Sequence, residues 1–220
     1  KAYLSPTATA GLTVTHPATL DLISATGAPA GSTFSGPGVT GSTFDSAGVG
    51  SGVKTINYST TDAFGMTLSN SFTITVQSVA FTGVAAGDVS NTEAIVWTRA
   101  IDSSLPAAAT TLTAQVSTSN TFSSPISLSG ATYPAGDFTL KFDFTNLTAG
   151  TQYFYRFVGP GGETSNTGKF KTAPASSTAA PLHFAFSGDN DGLMRPYALA
   201  STIPAQNLDF YVNLGDTIYE

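Results

Sequence analysis

Before residue 190 the chain alternates between apolar and polar positions, and almost nothing in it repeats at the helical period. Phe72, Ile74 and Val76 alternate with Thr73 and Thr75. Leu140, Phe142 and Phe144 alternate with Lys141 and Asp143. Tyr153, Tyr155 and Phe157 share one face of the next run, with Arg156 on the other. A period of two with one apolar face marks antiparallel strands that cover a core on one side. Gly- and Pro-rich stretches, among them 31–38 and 159–162, punctuate these runs, and short strands between turn signals predict β-sandwiches. Trp97, in the middle of Ala94-Ile95-Val96-Trp97-Thr98-Arg99, is expected to be the large core residue between two sheets. Tyr153 and Tyr155 are expected to fill the same core with their hydroxyls bonded to backbone. Asp88, after Gly87, reads as a turn residue.

The pattern changes after 175–181, a short polar linker. Leu182-His183-Phe184-Ala185-Phe186-Ser187 is a nearly continuous apolar run, which predicts a strand buried on both faces with His183 inside it. It stops at Gly188-Asp189-Asn190-Asp191-Gly192. A short helix is expected from Arg195 to about Ala205, with Pro196 in its first turn. Asp209-Phe210-Tyr211-Val212-Asn213-Leu214 predicts a second buried strand, stopping at Gly215-Asp216-Thr217-Ile218-Tyr219-Glu220. Strand, helix, strand of this length implies a right-handed βαβ unit with parallel strands. The fold expected is therefore mostly β: an antiparallel sandwich over 1–77, a second over 78–174, the linker, and the opening of an α/β domain over 182–220.

Composition narrows the function classes. Only 10% of the 220 residues are charged, 41% are hydrophobic and the formal net charge is −6. Disorder needs the opposite balance, so the chain should fold. Eight Lys and Arg, scattered, offer no basic stripe for a nucleic acid. No apolar run approaches the roughly 18–20 residues that span a bilayer. The chain has no cysteine, and its Thr/Ser/Gly-rich, Lys-poor make-up favours an exported bacterial protein, secreted or held at the cell surface, that relies on sheet cores rather than disulfides.

The candidate chemistry lies after the two late strands. Parallel neighbours end at the same sheet edge, where open α/β sheets bind ligands. Asp189 and Asp216, each expected one residue past a strand end, should sit side by side. Two such carboxylates raise each other's pKa unless a cation neutralises them, and oxygen donors select hard metals. Tyr219, three residues after Asp216, can reach back toward the same ion. A phenol with pKa about 10 needs a strongly Lewis-acidic metal, such as ferric iron, to ionise near neutral pH.

Two resemblances sharpen this reading. Ser35-Gly36-Pro37-Gly38-Val39, Thr43-Phe44-Asp45, Gly48-Val49-Gly50, Lys54-Thr55-Ile56-Asn57-Tyr58 and the closing Phe72–Val76 resemble immunoglobulin-like repeats of bacterial surface proteins, which implies a spacer or adhesive module. Phe81-Thr82-Gly83-Val84-Ala85-Ala86-Gly87-Asp88, the Trp97 strand, Leu147-Thr148-Ala149-Gly150-Thr151-Gln152-Tyr153-Phe154-Tyr155-Arg156 and Phe170-Lys171-Thr172-Ala173-Pro174 resemble the fibronectin-like N-terminal domain of PhoD-type alkaline phosphatases. Purple acid phosphatases share that domain in looser form. Ser187-Gly188-Asp189, Asp209-Phe210 and Leu214-Gly215-Asp216-Thr217-Ile218-Tyr219-Glu220 resemble the first two metal motifs of the same enzymes.

The resemblance implies a binuclear metallophosphoesterase holding iron and/or calcium, manganese or zinc. Asp189 would bind the first ion, Asp216 would bridge both, and Tyr219 would bind the first. Asp191 stands where the general Asp-x-His motif has its His, and Gly188 stands where many PhoD-type enzymes place a Cys ligand; these departures bear on the first ion's ligand set. The remaining ligands of such a centre, an Asn-His pair and further histidines, have no counterpart here. His16 and His183 are the two histidines present, and both read as structural. Half a ligand set predicts an inactive chain, and a parallel sheet of two strands predicts further sheet in a longer polypeptide. The function expected is the N-terminal part of an exported phosphoesterase acting on phosphate-ester small molecules. The alternative is a surface, adhesive or filament-forming protein, self-associating or cell-attached through its first domain, in which the phosphatase part is vestigial.

Overall fold

A computed structural model gives the fold and describes residues 11–189, 193, 195, 197 and 202–216. The first sandwich contains β1 (Leu12–Thr15), β2 (Thr19–Asp21), β3 (Thr33–Ser35), β4 (Val39–Thr40), β5 (Thr43–Asp45), β6 (Gly52–Thr61) and β7 (Thr67–Gln77). A four-stranded sheet ordered β1-β7-β6-β3 faces a three-stranded sheet ordered β2-β5-β4. Ile56 and Tyr58 of β6 and Phe72, Ile74 and Val76 of β7 point inward onto Phe44 of β5 and Leu22, as the alternation predicts. Leu22 opens α1 (Leu22–Thr26), one turn capped by Asp21, whose Oδ1 accepts from Ile23 N at 3.2 Å. One pairing departs from the antiparallel rule. β1 lies parallel to β7 because the chain crosses to the other sheet immediately afterwards, as β2.

The second sandwich contains β8 (Val79–Gly87), β9 (Ala94–Asp102), β10 (Thr110–Ser117), β11 (Ile126–Thr132), β12 (Thr139–Phe144), β13 (Gln152–Val158) and β14 (Gly168–Lys171). The sheet β11-β10-β13-β14 packs on β12-β9-β8. Its core joins Val96, Ala114, Val116, Phe142, Phe144, Tyr153, Tyr155, Phe157 and Phe170. Tyr153 makes the expected backbone contact: its phenol oxygen accepts from Thr148 N at 2.9 Å. Burial pushes the Tyr155 phenol up to about 12. Asp88 occupies a left-handed turn position with φ 47°.

Trp97 corrects the sequence reading. It is 42% exposed and stands on the outer face of β9, opposite Ala85 and Lys141 on the flanking strands. The inward positions of β9 are the small and medium residues Ala94, Val96, Thr98 and Ala100. The aromatic rings of β12 and β13 already fill the space between the sheets, so β9 can contribute only modest volume there.

Ser78 alone separates β7 from β8, and two carboxylates close the junction between the sandwiches. Asp102, 5% exposed at the end of β9, accepts from Ser78 Oγ at 2.6 Å, Ser51 N at 2.6 Å, Ser104 Oγ at 2.8 Å and Ser104 N at 3.0 Å. Glu163 Oε1 accepts from Ser51 Oγ at 2.7 Å, Ser78 N at 2.6 Å and Val79 N at 2.9 Å, while Oε2 accepts from Gly161 N at 2.9 Å. Burial raises the Asp102 carboxyl, but the hydrogen bonds from Ser78, Ser51 and Ser104 outweigh it and hold the group below its ordinary range. Charged acceptors facing N–H and O–H donors leave neither polar partner stranded where water is excluded.

Candidate metal centre

Beyond the second sandwich, β15 (Phe184–Ser187) and β16 (Phe210–Asn213) form a two-stranded sheet. They run parallel, with Phe184 opposite Phe210 and Ser187 opposite Asn213. The pairing continues past the strands, where Leu214 N donates to Ser187 O at 2.8 Å. A Cβ on Gly188 would lie 3.7 Å from that of Leu214, so the two chain exits lie against each other. Asp189 follows with φ 52°, and Asp216 follows Gly215 with φ 51°. Both left-handed positions turn the chain sharply away from the strand direction. The two carboxylates therefore leave one edge of one parallel pair, two and three residues beyond the strand ends rather than the single residue the sequence implies.

Three other expectations meet a different outcome. The strands are not buried on both faces: Phe186 of β15 is 65% and Phe210 of β16 45% exposed. His183 lies outside β15 and is exposed. Its backbone makes two contacts: His183 N donates to Asp209 Oδ2 at 2.9 Å and His183 O accepts from Asp209 N at 2.7 Å. Where a helix is expected from residue 195 to about 205, the described residues Arg195 and Tyr197 have no regular structure and a 3-10 turn covers Ile203–Gln206. Asp191 and Tyr219 lie outside the described residues.

His16, the other histidine, shares a 2.9 Å hydrogen bond between its Nδ1 and Ser46 Oγ, as a structural residue would. Among the described residues no group of three or more His, Cys, Asp and Glu side chains gathers as a metal site. None of the described helices is long and apolar enough to cross a membrane.

Sequence reasoning assigned no role to Asp209 and Lys171. Lys171 Nζ donates to Asp209 Oδ1 at 2.7 Å, tying β14 of the second sandwich to the start of β16. The Lys171 bond and the His183 N–H hold the Asp209 carboxyl below its ordinary range. Phe184 and Phe210 stack at 4.9 Å beside this contact. A cleft of about 170 Å³ lies here, lined by Gln152, Phe170, Ile203, Pro204 and Phe210 among others. The available signal was positional: Asp209 is an acidic residue directly before an apolar strand.

Residues 68–174 match the family described as the N-terminal domain of PhoD-like phosphatases. A solved structure of PhoD is 28% identical over 63% of this chain, with a TM-score of 0.59. The second sandwich is thus the part of the chain that is similar to the N-terminal domain of PhoD-like phosphatases.

The chain spans 28% of the length of the PhoD structure it matches. It also overlaps the sensor domain of the anti-sigma factor RsgI4 of Pseudobacteroides cellulosolvens, at 13% identity over 44% of this chain and 94% of that one, with a TM-score of 0.35. The FN1–FN3 domains of chicken CNTN1 align at 13% identity over 56% of this chain and 43% of that one, with a TM-score of 0.36. No curated protein matches the sequence. The PhoD family is metal-dependent; Asp189 and Asp216, both exposed, follow the same end of the parallel pair, and carboxylate oxygens are donors that suit hard cations.

Proposed function

We propose that this chain is the N-terminal part of an exported, metal-dependent phosphoesterase that hydrolyses phosphate esters. In this reading residues 1–77 are a surface spacer, 78–174 the phosphatase N-terminal domain, 175–181 a linker and 182–220 the start of the catalytic domain. Asp189 would hold the first ion of a binuclear centre, iron by the nature of its proposed phenolate ligand Tyr219, and Asp216 would bridge to a second ion such as calcium, manganese or zinc. Asp191 is the fourth candidate ligand. Bound there, a metal pair would supply positive charge to a phosphoryl group and acidity to an attacking water. The protein's own part is to hold two carboxylates at one edge on turns that follow a glycine, close enough in the chain path to serve one cation.

The observation that carries the reading is the parallel pair itself. It sends two Gly-Asp turns off the same edge, directly after a domain that matches the PhoD-like N-terminal family. The test is p-nitrophenyl phosphate hydrolysis by the complete protein, with and without chelator, and with Asp216→Asn. The substitution is expected to lower kcat by about 100-fold or more, the scale of losing a charged ligand group that acts in the transition state. Hydrolysis that survives both chelator and substitution would defeat the assignment.

A further inference from the structure

Asp209 stands at the opposite end of the parallel pair from the two Gly-Asp turns, and the proposed function leaves it without a role. Its carboxylate receives two different partners: Lys171 Nζ on Oδ1 and the His183 amide on Oδ2. Its own N–H donates to His183 O. Asp209 and His183 are thus joined twice, one residue before the first paired positions, Phe184 and Phe210.

Register in a sheet is specified strongly only where one face is buried, and weakly where both faces meet solvent. Here large side chains of both strands, Phe184, Phe186, Phe210 and Val212 among them, are exposed. A slip of one residue would move one strand along its neighbour by about 3.3 Å and turn every side chain to the other face. A slip of two would restore the faces while separating the chain exits further. The double Asp209–His183 contact opposes both slips, because its side-chain bond and its main-chain bond must be satisfied together. The bond from Lys171 adds a second constraint by tying this end of the pair to β14, whose Phe170 sits in the core of the second sandwich.

We infer that Asp209 is a positioning residue: with the His183 amide and Lys171 it pins β15 and β16 in register and onto the second sandwich, so that Asp189 and Asp216 emerge together at the far edge. The inference rests on the proposed metal role of those two carboxylates. It makes the N-terminal phosphatase domain a structural part of the catalytic edge, beyond a tether.

The test uses the complete protein and two readouts, only one of which needs catalysis. Amide hydrogen exchange of segments 184–187 and 210–214, measured on metal-free protein, should accelerate at least tenfold in Asp209→Ala and less in Asp209→Asn, which keeps an acceptor for the His183 amide. Metal retention against a chelator should fall about 10- to 100-fold in Asp209→Ala, the range found when a group that orients metal ligands is lost. Under saturating metal kcat should drop with KM little changed. Lys171→Met should accelerate exchange over 175–189 with a smaller loss of metal. If Asp209→Ala does not accumulate as folded protein, Asp209→Asn and Lys171→Met carry the same comparison. Unchanged exchange in the Asp209 variants overturns the inference, and so does faster exchange with unchanged metal retention. Faster exchange in a protein whose wild type neither retains metal nor hydrolyses phosphate esters supports the register role and overturns the phosphatase reading instead.

Discussion

The chain has two junctions closed by carboxylates, and they are built to different strengths. Between the sandwiches, Asp102 and Glu163 accept from Ser51, Ser78, Val79, Ser104 and Gly161, and Asp102 is almost wholly enclosed. Between the second sandwich and the parallel pair, Asp209 meets one lysine and one backbone amide while solvent reaches both partners of the ion pair. The chemistry is similar in each: a carboxylate accepts from N–H donors, joined by serine hydroxyls at the first junction. What differs is how completely water is excluded, and this decides how much each contact contributes. A hydrogen bond to a charged group is worth about 1.5–3 kcal/mol when its loss strands a buried partner, whereas an exposed ion pair contributes about 0–1 kcal/mol. The first junction should therefore behave as part of a fold, the second as a latch.

The comparison can be broken most forcefully at Asp102. Asp102→Ala takes the acceptor from the Ser51 amide, the Ser78 hydroxyl and the Ser104 amide, while Ser104 Oγ keeps Ser78 Oγ at 3.2 Å, and should cost about 3 kcal/mol or more of stability, read from denaturant unfolding. A loss near zero would mean that water replaces the carboxylate and that the junction is not sealed. Gly161→Ala is the next test. A Cβ there would fall 2.2 Å from Val76 O, a backbone atom that cannot rotate away, so the sandwiches must separate at a cost of about 1–3 kcal/mol. Unchanged stability would show that the two units adjust freely.

Acid supplies a graded version of the same test. Asp102 is held below its ordinary carboxyl range in the folded state, so its contribution is complete above the unfolded value and is lost as pH falls through the folded one. Unfolding midpoints taken at decreasing pH should fall in that window, and the pH dependence should flatten in Asp102→Asn. An unaltered pH dependence in that variant would place the acid sensitivity elsewhere. The smallest effect is expected at the latch. Lys171→Met should change global stability by about 1 kcal/mol or less while speeding amide exchange over 175–189, and a large global loss would put the latch on a par with the sandwich junction.

Much of the sandwich architecture was legible in the alternation, because a strand with one wet face must repeat every second residue. Phe72, Ile74, Val76, Phe142, Phe144, Tyr153, Tyr155 and Phe157 are all buried where that rule puts them. Residue size is the poorer guide to depth at Trp97. Parity along β9 and the rings already supplied by β12 and β13 put Trp97 outside. The late strands failed differently. Their apolar runs predict burial on both faces, and the two-stranded sheet leaves Phe184, Phe186 and Phe210 exposed. Of the candidate site, the two Gly-Asp turns were legible as the points where apolar runs stop, and the latch was not, because Lys171 and Asp209 are far apart along the chain.

From sequence alone, then, came the local facts: which stretches are strands, which side of a half-buried strand is apolar, and where two acidic turns end apolar runs. These follow from nearest-neighbour geometry, since a pleat alternates whatever it packs against. Only the tertiary structure decided what meets across the junctions. Ser51 finds Asp102 and Glu163 at separations of 51 and 112 residues, and Asp209 finds Lys171 at 38. No local pattern encodes such meetings, because they are set by how whole sheets dock, and docking is chosen by the summed burial of both cores rather than by any one residue.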